Sequence, residues 1–303
     1  MRALVTGASG FIGLPVVRAL DAEGYDVQGA SRSVPASPSP NIVWHRVNLL
    51  EPGSVDRLIQ ESKPDVLVHL AWEMTHGEFW DAPVNLRWTD VTLQLAREFA
   101  AGGGTRFVGL GSCAEYSWDN LNAGDPIRET SPRTPRTLYG AAKNECLEAL
   151  SRFFGRGSSV SFAWGRLFLP YGPGDRRPTL IPELTRALLA GEPGLLTAGT
   201  QIRDFIYVDD AARAIAALAG TSVTGAFNIA TGVGNSVADV AFRVATETGR
   251  PDLLRIGSLA SRDGDPSWLV GCPQKITSET GWRPRVPLDE GIRETLRWWR
   301  ASR

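Results

Sequence analysis

The sequence TGASGFIG at residues 6–13 decides the fold of this chain. It follows a short apolar run at residues 3–6 and opens a segment with helical periodicity at residues 11–22. Glycines with this spacing between a strand and a helix allow a tight turn, and they let backbone amides approach a pyrophosphate at the positive helix end. The segment therefore predicts a dinucleotide-binding turn, with cofactor contacts from Gly7, Gly10, Phe11, Ile12 and Gly13.

The segments that follow alternate between short apolar runs and helical patterns. Strands are predicted at residues 26–30, 42–47, 66–70, 107–110 and 160–164, and helices at residues 53–61, 84–100 and 139–154. Apolar strands separated by helices of these lengths are typical of a parallel sheet covered on both faces. We therefore predict an α/β fold, a doubly wound parallel sheet that binds ligands at the carboxyl ends of its strands.

The pattern changes after Gly165, where a loop rich in proline and glycine begins. Further elements are predicted as helices at residues 179–190, 209–219 and 288–299 and a strand at residues 202–208. We predict a nucleotide-binding domain made of residues 1–165 and about 202–229. Residues 166–201 and 230–303 are predicted to form a smaller C-terminal α/β lobe that binds the substrate.

Composition narrows the classes of partner. The 303 residues are 43% apolar and 21% charged, with a formal net charge of −1, so no overall field attracts nucleic acid or an anionic membrane. Three cysteines and three histidines without ligand spacing argue against a disulfide framework and a metal site. No apolar run reaches about 18 residues, and the first strand begins at Arg2, which leaves no room for a signal peptide. We expect a cytoplasmic protein.

The end of the second strand bears on the choice of cofactor. Enzymes that prefer NAD usually carry an acid there for the ribose hydroxyls, whereas those that prefer NADP need positive charge for the 2′-phosphate. This chain has no acid at that point but has Arg32 between Ser31 and Ser33. The guanidinium fork matches a phosphate and the serines add hydrogen bonds, so the sequence predicts NADPH rather than NADH.

Tyr139 and Lys143 carry the chemistry of the predicted site. Of five tyrosines, only Tyr139 has a lysine four positions later, and positions i and i+4 share one helix face. A nearby ammonium favours the charged form of a phenol, so we expect Lys143 to lower the pKa of Tyr139. Ser112 lies at a strand end upstream, and the three residues together predict an enzyme.

The glycine turn, the Tyr139/Lys143 pair and Ser112 resemble the extended short-chain dehydrogenase/reductases, a Rossmann-fold family of nucleotide-sugar epimerases, dehydratases and ketoreductases. The segments at residues 203–210 and 281–284 are also similar to that family. The resemblance implies that Tyr139 passes a proton to a carbonyl oxygen, that Ser112 hydrogen-bonds the same oxygen, and that Lys143 also holds the nicotinamide ribose. These three are the predicted catalytic residues.

The resemblance implies further contacts and an assembly. Additional cofactor contacts are expected from Asn48, Leu49, Leu70, Ala71 and Asn85. Arg203 and Arg262 are expected to clamp the diphosphate of a nucleotide sugar, a role that suits bidentate guanidinium groups. His69 is expected to be a packed strand residue. A homodimer is expected through the helices at residues 84–100 and 139–154.

The residues after Ser112 discriminate between reactions. Cys113 and Ala114 stand where the family's 4,6-dehydratases have an Asp-Glu pair, which argues against dehydration, while Glu115 either faces the substrate or caps a loop. The NADP preference favours a reductase that exchanges its cofactor each turnover, and we predict an NADPH-dependent reductase of a nucleotide-linked 4-keto-6-deoxyhexose. Three alternatives stay open: a nucleotide-sugar 4-epimerase with tightly bound cofactor, a non-catalytic NADP-binding regulator, and a reductase of a non-sugar carbonyl.

Overall fold

The computed structural model describes residues 1–36, 39–75, 79–119, 121, 124–155, 157–261 and 264–302. Its strands are β1 (Arg2–Thr6), β2 (Asp26–Ser31), β3 (Val43–Arg46), β4 (Val66–His69), β5 (Arg106–Ser112), β6 (Ser161–Leu167), β7 (Leu169–Tyr171), β8 (Gly194–Leu195), β9 (Ile202–Tyr207), β10 (Gly225–Ile229), β11 (Gly234–Ser236), β12 (Leu254–Arg255) and β13 (Trp268–Leu269). Its α-helices are α1 (Gly13–Ala22), α2 (Ser54–Ser62), α3 (Val84–Ala101), α4 (Leu138–Phe153), α5 (Leu180–Ala190), α6 (Val208–Ala219), α7 (Val237–Thr248), α8 (Gln274–Thr280) and α9 (Leu288–Ala301). Short 3-10 helices span Cys113–Glu115 and Pro251–Leu253.

The central sheet confirms the predicted fold class. Among the described residues, seven strands pair in the order β10-β6-β5-β4-β1-β2-β3, and all pairs are parallel. The strand order reverses between β1 and β4, where Thr6 lies opposite His69. Since ligands of doubly wound sheets bind in the crevice at such a switch point, the turn after β1 and the loop after β4 are expected to form its walls.

Apolar side chains cover both faces of this sheet. On one face, α1 and α6 pack against sheet residues such as Val5, Val68 and Val108, which are almost fully buried. On the other face, the layer contains Leu67 and Phe107 together with side chains of α2, α3 and α4. Burial on both faces explains why the strands read as continuous apolar runs rather than as alternating ones.

A smaller sheet and its helices form the C-terminal part. Strand β9 pairs with β7, β11 and β13, and β8 pairs with β12. Helices α5, α7 and α9 share an apolar core with β9. The buried carboxylate of Asp204 accepts hydrogen bonds from the backbone amides of Thr231, Gly232 and Gly271, which fixes the loop after β10 against β9. The domain boundaries expected from the sequence stay a prediction.

Within the described part of the chain, every helix is too short or too polar to cross a membrane.

Candidate active site

The carboxyl ends of the central strands open into a cleft of about 650 Å³ that also contacts the smaller lobe. Almost all of the residues predicted for the site line this cleft. They are Gly7, Gly10, Phe11, Ile12, Gly13, Ser31, Arg32, Ser33, Asn48, Leu49, Leu70, Ala71, Ser112, Tyr139, Lys143 and Arg203. Residues spread over two hundred positions of sequence therefore meet at one surface.

Two predicted residues are not part of this lining. Asn85 is fully buried; its amide donates to the carbonyl oxygens of Phe79 (2.6 Å) and Ala82 (2.9 Å) and accepts from Trp72 Nε1 (2.8 Å). These bonds use the side chain to hold the segment before α3, and the expected cofactor contact from Asn85 stays a prediction. Arg262 lies outside the described residues.

The glycine turn has the shape that a dinucleotide pyrophosphate requires. Gly7 has φ +70°, and a Cβ there would lie 2.8 Å from the amide nitrogen of Ala71. A Cβ on Gly13 would lie 2.1 Å from the carbonyl oxygen of Gly7. Helix α1 has no side-chain cap and no acid in its first turn, so its positive end is left for an anion. These residues fit a nicotinamide dinucleotide.

Ser112 and Tyr139 come together through the packing of α4 against the end of β5. Thr137 caps α4 by accepting from the Gly140 amide (3.1 Å), and the Tyr139 amide donates to the Trp80 carbonyl (2.8 Å). A Cβ on Gly140 would lie 2.3 Å from the Ala114 carbonyl, so glycine permits this close approach. Ser112 and Tyr139 both line the cleft at this point, and the Ser112 hydroxyl is close enough to favour the ionised form of the phenol.

Burial controls the ionisation of Tyr139 and Lys143. Loss of solvent raises the pKa of Tyr139, and the nearby Ser112 hydroxyl offsets this only in part. Burial also lowers the pKa of Lys143 to about 8. The ammonium donates to the Leu110 carbonyl (2.7 Å) and lies 5.9 Å from the centre of the Tyr139 ring. The expected lowering of the Tyr139 pKa is therefore wrong for this structure, because desolvation of the phenol dominates.

Neither His69 nor Cys113 has a pKa near neutral pH, as a general acid or base would need. The His69 ring is buried between the hydroxyls of Thr6 (2.7 Å) and Thr92 (2.9 Å), and burial lowers its pKa to about 3. It is the packed strand residue that the sequence predicts. Cys113 lines the cleft, but burial raises its thiol pKa to about 12, so the thiol stays neutral.

Glu115 is a fully buried structural residue. Its Oε1 accepts from the Ser112 amide (2.9 Å) and from Trp164 Nε1 (2.9 Å), and its Oε2 accepts from Arg166 Nε (2.7 Å). Of the two roles left open for Glu115, the structure selects the cap. The spacing Ser-x-x-Glu is a capping-box signal that sequence reasoning could have used here.

Aromatic side chains form one wall of the cleft. Trp72, Phe79 and Trp80 line it beside Tyr139. The Tyr139 ring meets Phe79 (5.0 Å), Trp80 (5.8 Å) and Trp72 (6.2 Å) edge-on. The cleft is therefore largely apolar beside Tyr139.

Three arginines face the cleft from different elements. Arg203 on β9 donates to Asp265 (2.5 Å) and is almost fully buried. Arg177 was not identified from the sequence; it pairs with Asp175 (2.8 Å), and its guanidinium lies 4.7 Å from the centre of the Phe11 ring. The Arg32 side chain is 71% exposed and lies 3.7 Å from the Glu73 carboxylate.

Among the described residues, no group of three or more His, Cys, Asp or Glu is placed to hold a metal ion.

Comparisons with known proteins agree with this arrangement. The model of the NAD dependent epimerase/dehydratase family matches residues 3–230. A UDP-glucose 4-epimerase of Mycolicibacterium smegmatis is 26% identical, over 99% of this chain and 99% of that protein. A dTDP-6-deoxy-L-talose 4-dehydrogenase (NAD(P)(+)) of Kitasatospora kifunensis is 28% identical, over 97% of this chain and 94% of that protein.

A solved structure gives the same picture in three dimensions. The UDP-glucose 4-epimerase of Thermus thermophilus, in complex with NAD, superposes with a TM-score of 0.87 at 27% identity, and the match covers 100% of both chains. The family match covers more than half of this chain and includes the glycine turn, Ser112, Tyr139 and Lys143. This chain therefore belongs to the NAD dependent epimerase/dehydratase family, the nucleotide-sugar branch of the extended short-chain dehydrogenase/reductases.

Proposed function

We propose that the protein is a nucleotide-sugar 4-epimerase that keeps its nicotinamide cofactor throughout the reaction cycle. The observation that carries this proposal is that Ser112, Tyr139 and Lys143 line the same cleft as the dinucleotide turn. The similarity to UDP-glucose 4-epimerases over the whole chain supports it. The 4-ketoreductase expected from the sequence becomes the second candidate.

The chain's own residues supply proton transfer at the C4 oxygen of the sugar. The bound cofactor accepts and returns a hydride at C4. Because the pKa of Tyr139 is raised, its hydroxyl is protonated at neutral pH and acts as the donor to a 4-keto oxygen. The opposite step needs Tyr139 as the phenolate, which the ammonium of Lys143 stabilises; taking the proton of the C4 hydroxyl then returns Tyr139 to the phenol. Ser112 hydrogen-bonds the same oxygen.

Epimerisation also requires that the 4-keto sugar present either face to the cofactor. Phe79 and Trp80 offer apolar surface in the cleft next to Tyr139. Such a surface holds a sugar ring without hydrogen bonds that fix one orientation, so the ring can turn between the two half-reactions. This wall supports epimerisation over a reaction at one face.

Dehydration finds little support at the reacting end of the cleft. A base is needed there for the proton at C5 of the sugar. Cys113 stays a neutral thiol because burial raises its pKa to about 12, and Ala114 has no ionisable group. The carboxylate of Glu115 is held by Arg166 and Trp164 and is fully buried. These positions leave reversible hydride transfer as the simplest chemistry.

The nucleotide end of the substrate is assigned to the arginines of the smaller lobe. Arg203 faces the cleft and is held by Asp265, so its remaining donors suit a diphosphate. Arg177, which also lines the cleft, supplies a second positive charge. Arg262 keeps its predicted role as a diphosphate ligand only as a proposal. Replacement of Arg203 by alanine should weaken binding of UDP, measured by calorimetry; unchanged affinity contradicts this assignment.

The cofactor proposed for this reaction is NAD, which relatives of solved structure bind. The predicted NADP preference depended on Arg32, but that side chain lies 3.7 Å from Glu73. A hydrogen bond from Thr75 and the charge of Arg32 lower the pKa of Glu73, so its carboxylate is ionised at neutral pH and opposes a nearby phosphate. Replacing Glu73 by glutamine should strengthen NADP binding more than NAD binding; equal changes contradict the role of Glu73.

A homodimer through α3 and α4 also remains a proposal. Leu86 on α3 is 57% exposed and Phe153 on α4 is 49% exposed, so each helix leaves apolar surface uncovered. Burial of these side chains against a second copy would remove that surface from water. Light scattering on the purified protein tests the proposal, and a monomer at micromolar concentration contradicts it.

The function is tested with a panel of nucleotide sugars that starts with UDP-glucose. Purified protein is incubated with each sugar, and the products are identified by NMR while nicotinamide absorbance is followed. The proposal predicts conversion to the 4-epimer without net consumption of NADH or NADPH. Stoichiometric NADPH oxidation with a 4-keto-6-deoxyhexose, and no epimer from any sugar, would instead establish the ketoreductase, which the similarity to a 4-dehydrogenase favours.

A further inference from the structure

Trp72 is placed directly against the ammonium of Lys143. The Nζ atom lies 3.7 Å from the centre of the Trp72 ring, closer than to the rings of Trp164 (5.8 Å) or Tyr139 (5.9 Å). A cation over an indole face is attracted by the electron density of the ring, most strongly where water is excluded. We propose that Trp72 is a positioning residue for Lys143, and that its indole face keeps the buried amine charged and directed into the cleft.

The indole is itself held in place from behind. Trp72 Nε1 donates to the Asn85 side chain (2.8 Å), and the Trp72 ring stacks on Trp88 at 6.0 Å with an interplanar angle of 26°. Asn85 is fixed in turn by the carbonyls of Phe79 and Ala82. A ring with its edge and its back occupied cannot rotate away from Lys143, so the contact is built into the start of α3.

The surroundings of Lys143 offer little other compensation for a buried charge. The Leu110 carbonyl accepts one hydrogen bond from Nζ (2.7 Å). The ionisable groups that face the amine are Tyr139 and Cys146 on α4, His69 on β4 and Glu115 after β5. His69 is neutral, and the Glu115 carboxylate is hydrogen-bonded to other donors. The indole face is therefore the closest electron-rich group that is not already bonded elsewhere.

Two roles for Trp72 predict opposite effects on Lys143. If Trp72 only covers the amine from water, it disfavours the ammonium, and removing it raises the pKa of Lys143. If Trp72 attracts the cation, removing it lowers the pKa further. The consequence for catalysis rests on the proposed function, in which a charged Lys143 stabilises the Tyr139 phenolate, whereas the contact itself does not depend on which sugar is bound.

The test is an NMR titration of the lysine side chains in protein carrying carbon-13 labelled lysine. The chain has only Lys63, Lys143 and Lys275, so three signals are expected, and Lys143→Arg identifies one of them. We expect Trp72→Phe to move the Lys143 titration midpoint to lower pH by about 0.5 pH unit or more. A midpoint that stays the same or rises overturns the proposal.

Incorporation of 5-fluorotryptophan provides a second measurement that leaves the packing nearly unchanged. Fluorine withdraws electron density from the ring face, so the Lys143 midpoint should fall again. Lys275 is an internal control because its Nζ lies over Phe227 (4.2 Å), and Lys63 is an exposed reference. A Lys143 midpoint that moves no more than these two overturns the proposal. Both titrations are done without a sugar nucleotide, so they can contradict the role of Trp72 while the epimerase assignment holds. Equally, the epimerase assignment can fail while the titrations support the role of Trp72.

Discussion

Burial sets the resting charge of the two groups at the reacting end of the cleft. It raises the pKa of Tyr139 and lowers that of Lys143 to about 8. At neutral pH the phenol therefore keeps its proton while the amine is still mostly charged. A protonated Tyr139 beside a cationic Lys143 is ready to donate to a carbonyl oxygen and to tolerate the negative charge that follows.

Replacing Tyr139 by phenylalanine should remove proton transfer but keep the cleft. We expect turnover of the sugar nucleotide to fall by about 100-fold or more, because general acid catalysis contributes on that scale. Binding of NAD and of UDP should change little, as measured by calorimetry. The control is Tyr25→Phe, which alters a ring beside Gly220 at the amino end of the sheet. Equal activity of the two variants would exclude Tyr139 as the proton carrier.

The buried amine of Lys143 predicts a particular dependence of stability on pH. Burial lowers its pKa from the ordinary 10.5 to about 8, so between these values the unfolded chain binds more protons than the folded one. Relative to Lys143→Met, the wild-type free energy of unfolding should rise by about 3 kcal/mol as pH increases across this window. Below pH 8, the folded protein carries the full free-energy cost of burying the Lys143 charge. Urea denaturation of both proteins measures the difference, and a flat or falling difference contradicts the buried charge.

The sequence predicted the residue types of the site better than their ionisation. Ser112, Tyr139 and Lys143 belong to motifs whose spacing along one strand end and one helix face determines their relative positions. The predicted effect of Lys143 on the Tyr139 pKa was wrong in direction, because the pKa also depends on desolvation, and desolvation depends on everything packed around the phenol. The hydrogen bonds of Asn85 could not be predicted for a related reason: its partners at Trp72 and Phe79 are known only once the loop before α3 is folded.

At the scale of elements, the β1–α1 turn depends on close backbone packing at Gly13. A Cβ there would lie 2.1 Å from the Gly7 carbonyl oxygen. Gly13→Ala should therefore lower the free energy of unfolding by about 1–3 kcal/mol and abolish NAD binding. Gly220→Ala is the matched control, because its Cβ would have its nearest neighbour at 3.6 Å and its φ is −81°. Thermal unfolding and NAD titration measure both variants; comparable losses in the two would show that the turn is not crowded.

The end of β5 is held by a buried ion pair between Glu115 and Arg166, both almost completely inaccessible. Glu115→Gln leaves the Arg166 charge without its partner, so we expect a loss of about 3–5 kcal/mol in unfolding free energy. Glu148→Gln breaks a comparable pair with Arg133 (2.5 Å) whose side chains are about a third exposed, and should cost less than about 1 kcal/mol. Chemical denaturation of the two variants tests the contrast, which similar losses would refute.

Long elements were predictable from the sequence and short ones were not. The strands at 26–30 and 66–70 and the helices at 84–100 and 139–154 agree with the structure within one or two residues, because each has a clear apolar pattern. The two- and three-residue strands of the smaller lobe carry no measurable periodicity. Helix α7 (Val237–Thr248) was missed; no element was predicted between the helices at residues 209–219 and 288–299.

At the scale of the whole molecule, the two sheets meet around one cleft, and this arrangement determines the chemistry. The family's epimerases and ketoreductases share the serine, tyrosine and lysine that stand here at Ser112, Tyr139 and Lys143. These motifs therefore do not discriminate between the two reactions. The predicted choice depended on Arg32, and the sequence could not show that Glu73, from the loop after β4, lies 3.7 Å away from it. The cofactor argument for a reductase is weakened by a contact between segments forty residues apart.

The most direct test of the central claim follows a deuterium atom placed at C4 of UDP-glucose. If hydride leaves C4 and returns from a cofactor that stays bound, the 4-epimer formed by the protein should retain deuterium at C4, even with excess unlabelled NADH or NADPH in solution. Tyr139→Phe should form this product at least about 100-fold more slowly. Deuterium found in water or in the free nicotinamide pool, or the absence of any 4-epimer, would contradict the claim.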